Sequence, residues 1–288
     1  MKKLWIVCIA IITTLLISAC GSSESTNNSK KEIVRIGVNG SEGAQWPILK
    51  EKAEKEGIQI QLVEFADYTL PNNALAEGEV DLNAFQHFSF LSQYVKESGK
   101  DIVPIGSTVF APLGIYSEKI KDISEIKKGD KIAIPDDPSN QARSLRLLES
   151  AGLLTLAEDF GLFGDASKII ENPLNLEIMP MTAQQTPRVL PDVAASIINN
   201  GIAGQAGLSP ADDPIFKESG DDESIYPYVN LIAVRAEDKD NETYKRIVEL
   251  YHEEDIEKAI LDDTKGGSYL VKLTEEQINK VFEELKNQ

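Results

Sequence analysis

From residue 33 onward, short apolar runs that read as strands alternate with stretches that read as helices, and few folds accept that order. Ile33-Val34-Arg35-Ile36-Gly37-Val38 reads as a strand, Trp46 to Glu56 as a helix stopped by Gly57, and Ile58 to Val63 alternates with period two. Strand, helix, strand is a βαβ opening. The alternation continues through a helix over 72–77, a strand over 80–84, a helix over 88–98 and an extended run over 102–105. It restarts with a strand over 131–135, a helix over 139–150 and a strand near 176–179. A last strand over 228–234 precedes helical stretches over 241–262 and 274–287. The pattern predicts an α/β protein with largely parallel sheets, whose middle third forms a lobe of its own. In open sheets of this kind a ligand sits at the loops beyond the carboxyl ends of the strands.

The N-terminus has a different character. Lys2 and Lys3 precede an apolar run from Leu4 to Ala19, which stops at Cys20 and a polar Gly21-Ser22-Ser23. That is the layout of a secretory signal peptide, and the run is shorter than the roughly 20 residues a membrane-spanning helix needs. Ile17-Ser18-Ala19-Cys20 resembles the bacterial lipobox, in which cleavage precedes a cysteine whose thiol carries diacylglycerol. Residues 1–19 are therefore expected to be removed, Cys20 to be lipidated, and 20–31, with no apolar residue from Ser22 to Lys31, to form a flexible tether. The only other cysteine, Cys8, lies in the removed segment. The mature chain of 269 residues then has no disulfide framework, no cysteine-based zinc cluster and no thiol nucleophile. Removal of residues 1–19 takes away two lysines and no acid, leaving a formal net charge of −20. Nucleic acid is not an expected partner, and the acidic bulk does not favour direct binding to anionic lipid.

Candidate functional residues gather in the loops. Val80 to Phe90 passes from strand to helix and carries Phe85, His87 and Phe90, with Tyr68 in the preceding Asp67-Tyr68-Thr69-Leu70-Pro71-Asn72. These rings suit an aromatic cage around an apolar or thioether side chain, although from spacing alone Phe85 and Phe90 also read as core residues. His87 lacks an identifiable nucleophile or metal-ligand set, and reads as a hydrogen-bonded pocket wall rather than a catalyst. Ile134 to Arg143 runs from strand into helix, with Ser139 as a candidate cap and Arg143 in the first turn. A cation there opposes the helix dipole, which points to a separate purpose such as clamping a carboxylate. Asn199 and Asn230 end or interrupt apolar strands, where buried amides need partners such as a zwitterionic ligand provides. No nucleophile elbow, zinc-protease motif or phosphate loop occurs, so no enzyme activity and no cofactor or metal is expected.

D-Y-T-L-P-N at 67–72, G-E-V-D-L-N-A-F-Q-H at 78–87, I-P-D-D-P-S-N-Q-A-R-S-L at 134–145, Q-T-P-R at 185–188 and Y-V-N-L-I at 228–232 together resemble the NlpA-type methionine-binding lipoproteins. The likeness runs in order from the lipobox to the last strand. It implies a two-lobed, type II-like periplasmic binding protein with a hinge and an interlobe cleft. The implied lobes are 32–112 with 229–288, and 113–228. It also implies a lipid-anchored protein outside the cytoplasm that passes methionine to an ABC permease and its ATPase. By that resemblance Arg143 meets the ligand carboxylate, Asn199 and Asn230 its polar backbone atoms, and Tyr68, Phe85, His87 and Phe90 its side chain. Another apolar amino acid, a methionine-containing dipeptide and a non-transport surface lipoprotein are the alternatives. The family usually has tyrosine where Phe90 and Ile202 stand, and the segment 40–46 differs from its first loop, leaving open whether Trp46 touches ligand.

Overall fold

The computed structural model describes residues 31–220 and 223–288; Cys20, the leader and the tether up to residue 30 lie outside the described residues. In chain order the elements are β1 (Glu32–Val38), α1 (Gln45–Lys55), β2 (Ile58–Glu64), α2 (Pro71–Ala76), β3 (Leu82–Asn83), α3 (Phe88–Ser98) and β4 (Ile102–Phe110). The chain then crosses to β5 (Gly114–Tyr116), β6 (Lys131–Pro135), α4 (Pro138–Ser150), β7 (Thr155–Leu156), β8 (Ile169–Glu171), β9 (Glu177–Met181), β10 (Ala195–Ile198), α5 (Asn200–Gln205) and β11 (Phe216–Lys217). It returns as β12 (Val229–Arg235) and closes with α6 (Glu242–Tyr251), α7 (Glu254–Asp263), β13 (Tyr269–Leu270) and α8 (Glu275–Lys286).

Two sheets organise these elements into a two-lobed α/β fold. The first has the order β13-β4-β12-β3-β1-β2 and the second β11-β5-β10-β6-β9, with β7 and β8 a separate pair. Both sheets are mixed rather than largely parallel. β1 pairs parallel with β2 and β3, and β6 parallel with β9 and β10, while β12 and β5 run antiparallel to their neighbours. The physical reason is the connection between lobes: β12, after the second crossover, enters the first sheet against the direction of β3 and β4, while β5, after the first crossover, opens the second sheet and the later β10 and β11 run against it. The resulting orders β2-β1-β3-β12 and β9-β6-β10-β5 correspond, a pseudo-symmetry that leaves no repeat in the sequence. Val229 pairs with Phe110, so the two crossovers lie side by side.

Packing follows the period-two alternation of the strands. Along β12, Val229, Leu231 and Ala233 face the core that holds Phe88 and Leu91 of α3 and Phe282 of α8. Ile232 and Val234 face the opposite core, with Trp46 and Leu49 of α1 and Ile247 of α6. In the second lobe α4 lays Ala142, Leu145 and Leu148 over Ile132, Ile134 and Ile197. Full burial of a side chain such as Leu145 contributes roughly 1.5–3 kcal/mol. Helix ends are set locally. Gly57, with φ +82°, follows the last turn of α1, and Gly99, with φ +65°, caps α3. The expected helical stretch 241–262 is two helices, because the turn at His252 and Glu253 redirects the chain.

Candidate functional site

A cavity of about 840 Å³ lies between the two sheets, and all seven candidate residues, Tyr68, Phe85, His87, Phe90, Arg143, Asn199 and Asn230, line it. Its first-lobe wall is aromatic. Tyr68, Phe85 and Phe90 form a triangle with ring centroids 6.0, 6.0 and 5.7 Å apart, and the His87 ring stands edge-on to Phe90 at 6.3 Å. Phe85 and Phe90 are half-buried and belong to none of the hydrophobic core clusters; the fully buried aromatic of this segment is Phe88. Tyr68 packs onward against Tyr116, Leu190, Ile198 and Ile202 of the second lobe, so the cage spans the cleft. Trp46 is 4% exposed, packs tilted against Tyr251 with ring centroids 6.0 Å apart, and borders the cavity.

Buried amides hold the cage loop in place. Asn72, Asn83 and Gln86 are each almost fully buried and bond one another: Asn72 donates to Gln86 Oε1 at 2.8 Å, Gln86 to Asn72 Oδ1 at 2.6 Å and Asn83 to Asn72 Oδ1 at 2.8 Å. A satisfied network of this kind fixes one backbone path. The loop is also pinned from outside, where Leu231 N–H donates to the Gln86 carbonyl at 3.0 Å and His87 forms a β-bridge with Asn230.

His87 is both wall and helix cap. Its Nδ1 accepts from the Phe90 backbone N–H at 3.1 Å, so the neutral ring carries its proton on Nε2, which donates to Asn140 Oδ1 at 3.2 Å. Burial, reinforced by the nearby Arg143 charge, lowers its pKa to about 3, against the opposing pull of the Asn140 bond. The ring is neutral at ordinary pH.

The second-lobe wall is polar. Helix α4 is capped by Asp137, which accepts from the Asn140 N–H at 3.0 Å; Ser139 is not the cap but donates its hydroxyl to Asp137 at 2.9 Å. An aspartate accepts more strongly than a serine, and the helix consequently begins one residue earlier. Arg143 is then its sixth residue, in the second turn rather than the first. Its guanidinium is 4% exposed and held at the crossovers: Nε donates to Glu218 Oε1 at 2.8 Å, one Nη to Glu218 Oε2 at 2.5 Å and the same Nη to the Ala111 carbonyl at 3.0 Å. The Tyr228 ring lies 4.6 Å below it, and Glu218 accepts from Leu113 N–H at 2.8 Å. Nη1 is the nitrogen that none of these bonds uses. Asn199 donates to Asn140 Oδ1 at 2.8 Å, while its own Oδ1 is buried without a partner among the described residues.

The sequence also supports a family comparison. The NlpA lipoprotein family profile matches residues 34–271. The chain belongs to the NlpA lipoprotein family. This NlpA-family chain is 41% identical over 263 residues to the D-methionine-binding lipoprotein MetQ of Salmonella typhimurium, covering 90% of this chain and 94% of that protein. It is similar to the crystal structure of protein PG110 from Staphylococcus aureus, with TM-score 0.86, 48% identity and coverage of 88% and 99% of the two chains. It is also similar to a nutrient-binding protein from Burkholderia cenocepacia bound to methionine, with TM-score 0.77, 39% identity and coverage of 82% and 99%.

Three functional-looking residues of this NlpA-family chain escape a sequence reading. Asn140 lies inside a segment read only as a helix start, although a polar residue three positions after an aspartate cap is a usable signal. Tyr228 is hidden because it reads as the first residue of an apolar strand, which the structure begins at Val229. Glu218 has no local signal at all, since it is 75 residues from Arg143. Among the described residues no group of His, Cys, Asp and Glu is arranged to hold a metal, and no helix is long and apolar enough to cross a membrane.

Proposed function

We propose that this protein captures methionine, or a closely similar apolar amino acid, between its two lobes and delivers it to an ABC permease, held at the outer face of the membrane by lipid on Cys20. The observation that carries this reading is the pairing of opposite walls around one cavity: the Tyr68, Phe85 and Phe90 triangle faces a polar wall with Arg143 and the unpartnered Asn199 oxygen. A thioether or aliphatic side chain suits the rings. The ammonium of the same ligand suits Asn199 Oδ1, and its carboxylate suits Nη1 of Arg143. Asn230 faces the ligand's remaining polar atoms beside His87.

The lobes in this reading are 32–112 with 229–288, and 113–228, closing about the crossovers. The cavity exceeds a single amino acid, which closure offsets by bringing the walls together. The same volume favours a second reading, a methionine-containing dipeptide. Chemistry on the ligand is not part of either reading, because both ring nitrogens of His87 are committed and neither is free to take a proton. The methionine-binding relatives support the ligand class.

The test is the mass of the small molecule released when protein purified without added ligand is denatured. Methionine, near one per chain, is the expected result. A dipeptide mass selects the second reading, and a sugar, metal or nucleotide refutes both.

A further inference from the structure

Donor and acceptor roles along one chain of side chains settle which end of Asn199 the cavity meets. The chain has two ends whose roles are fixed, one by a backbone N–H and the other by the donors around a carboxylate. At one end the Phe90 backbone N–H only donates, so His87 Nδ1 accepts and His87 Nε2 donates; the Asn140 atom 3.2 Å from Nε2 is an oxygen. At the other end burial raises the pKa of Asp137, but the Asn140 backbone N–H and the Ser139 hydroxyl both donate to it and hold it as an acceptor, so the Asn140 atom 3.0 Å from each of its oxygens is a nitrogen. The two ends, one in each lobe, dictate the same orientation of the Asn140 amide. Its Oδ1 then takes a second donor, Asn199 Nδ2 at 2.8 Å. Asn199 is thereby left with its oxygen unpartnered and buried beside the cavity. A buried acceptor of that kind gains most from a ligand that brings a donor, and the gain is larger when the donor is charged.

We infer that Asn140 is a positioning residue that orients the Asn199 amide, so that the site selects a ligand with a hydrogen-bond donor at that point, the ammonium of an amino acid. This rests on the functional reading above. Asn140, 2% exposed, borders the cavity, but its amide atoms are taken by His87, Asn199 and Asp137, so its effect on the ligand passes through Asn199. Were Asn140 absent, the Asn199 amide would be free to turn its nitrogen toward the ligand, and an ammonium would meet a donor.

The test compares calorimetric affinities for methionine and for 4-methylthiobutanoate, which lacks only the amino group, in the full-length protein. The parent is expected to prefer methionine by on the order of a hundred-fold, as a charge-assisted bond to a buried acceptor implies. Asn140→Ala is expected to reduce that ratio by about ten-fold or more. Asn140→Ala with Asn199→Asp restores it, because an aspartate presents oxygen whichever way it turns. An aspartate rescue is not expected if Asn140 only supports the fold. Asp137→Asn, which keeps an acceptor cap on the helix, shifts the ratio in the same direction by less. An unchanged ratio in Asn140→Ala, or failure of the double variant to restore it, overturns the inference. Nuclear magnetic resonance of the ligand-free protein separates this from a failure of the ligand reading. The Asn199 side-chain amide is protected from exchange in the parent and loses protection in Asn140→Ala. If the parent binds no methionine, the ligand reading fails, and this protection alone decides whether Asn140 orients Asn199; equal exchange in both proteins overturns it.

Discussion

The two walls of the cavity are built on different principles. The aromatic wall is assembled from residues close in sequence, Tyr68 on one loop and Phe85, His87 and Phe90 on the next, set by a local amide network. The polar wall is assembled from residues far apart, with Arg143 bound to Glu218 75 positions later and Asn140 bound to His87 across the lobes. Apolar contact is non-directional, so a cage needs only rings of suitable size in adjoining loops. Hydrogen-bonded charge is directional and intolerant of a missing partner, so the polar wall depends on the completed fold. Damage to the first should fall mainly on ligand choice, and damage to the second on stability as well.

The largest effect expected from that contrast is on the ion pair. Arg143→Met leaves Glu218, 15% exposed at its side chain, without its cation and costs about 3–5 kcal/mol of unfolding free energy in denaturant titration. Adding Glu218→Leu recovers most of that loss, since the uncompensated charge is gone, but leaves methionine binding weak. Equal stability of the single and double variants would show that the pair is not what matters there.

Next in size are two phenylalanines two positions apart in one helix, which face opposite ways. Phe88 is fully buried, and Phe88→Ala costs about 3–5 kcal/mol of stability. Phe90→Ala costs less than about 1 kcal/mol of stability, because its half-buried ring lies outside the core clusters, but weakens methionine binding by about 1–3 kcal/mol and reorders methionine, leucine and norleucine. A uniform loss across those ligands would place Phe90 outside the side-chain pocket.

An effect that is small at each pH step but accumulates over several units separates the walls by pH. The folded pKa of His87, about 3, lies below its ordinary value of 6.5, so between those values the unfolded chain takes a proton that the folded one refuses. Stability therefore falls as pH drops from about 6.5 toward 3, by up to about 1.4 kcal/mol per pH unit. His87→Gln, which can still accept from Phe90 N–H, flattens that part of the curve. His252, whose pKa burial also lowers, remains in both proteins and cancels from the difference. The smallest expected effect is that of Phe90→Tyr, less than about 0.5 kcal/mol on methionine binding if the ring face alone makes the contact. A large gain would mean that the hydroxyl finds a partner in the cavity.

Much of the fold is legible in the sequence where an element carries its own signals. The helix Phe88–Ser98 and the strand Lys131–Pro135 appear with the bounds their periodicity and flanking glycines or charges predict. β5, at Gly114–Tyr116, is too short to show a period and is a strand because β10 and β11 flank it. Its direction, and that of β12, follows from the crossover rather than from any local residue, which is why mostly parallel sheets were the natural expectation. At the site, ring-bearing residues in adjoining loops give a readable pattern. Arg143 stands out as a cation near a helix start, but its partner Glu218, its true turn and the Asp137 cap depend on contacts that only the folded chain brings together. Asn140 shows the same limit: its burial, its bond to His87 across the lobes and its bond to Asn199 within its own lobe are tertiary facts.

The most direct measurement is a calorimetric titration with L- and D-methionine of protein first unfolded and refolded to strip bound small molecules. A ligand held jointly by the aromatic and polar walls should give saturable binding of one molecule per chain, weakened when methionine is replaced by methionine amide. No saturable heat with either isomer, or equal affinity for methionine and its amide, would contradict an amino acid gripped by both walls.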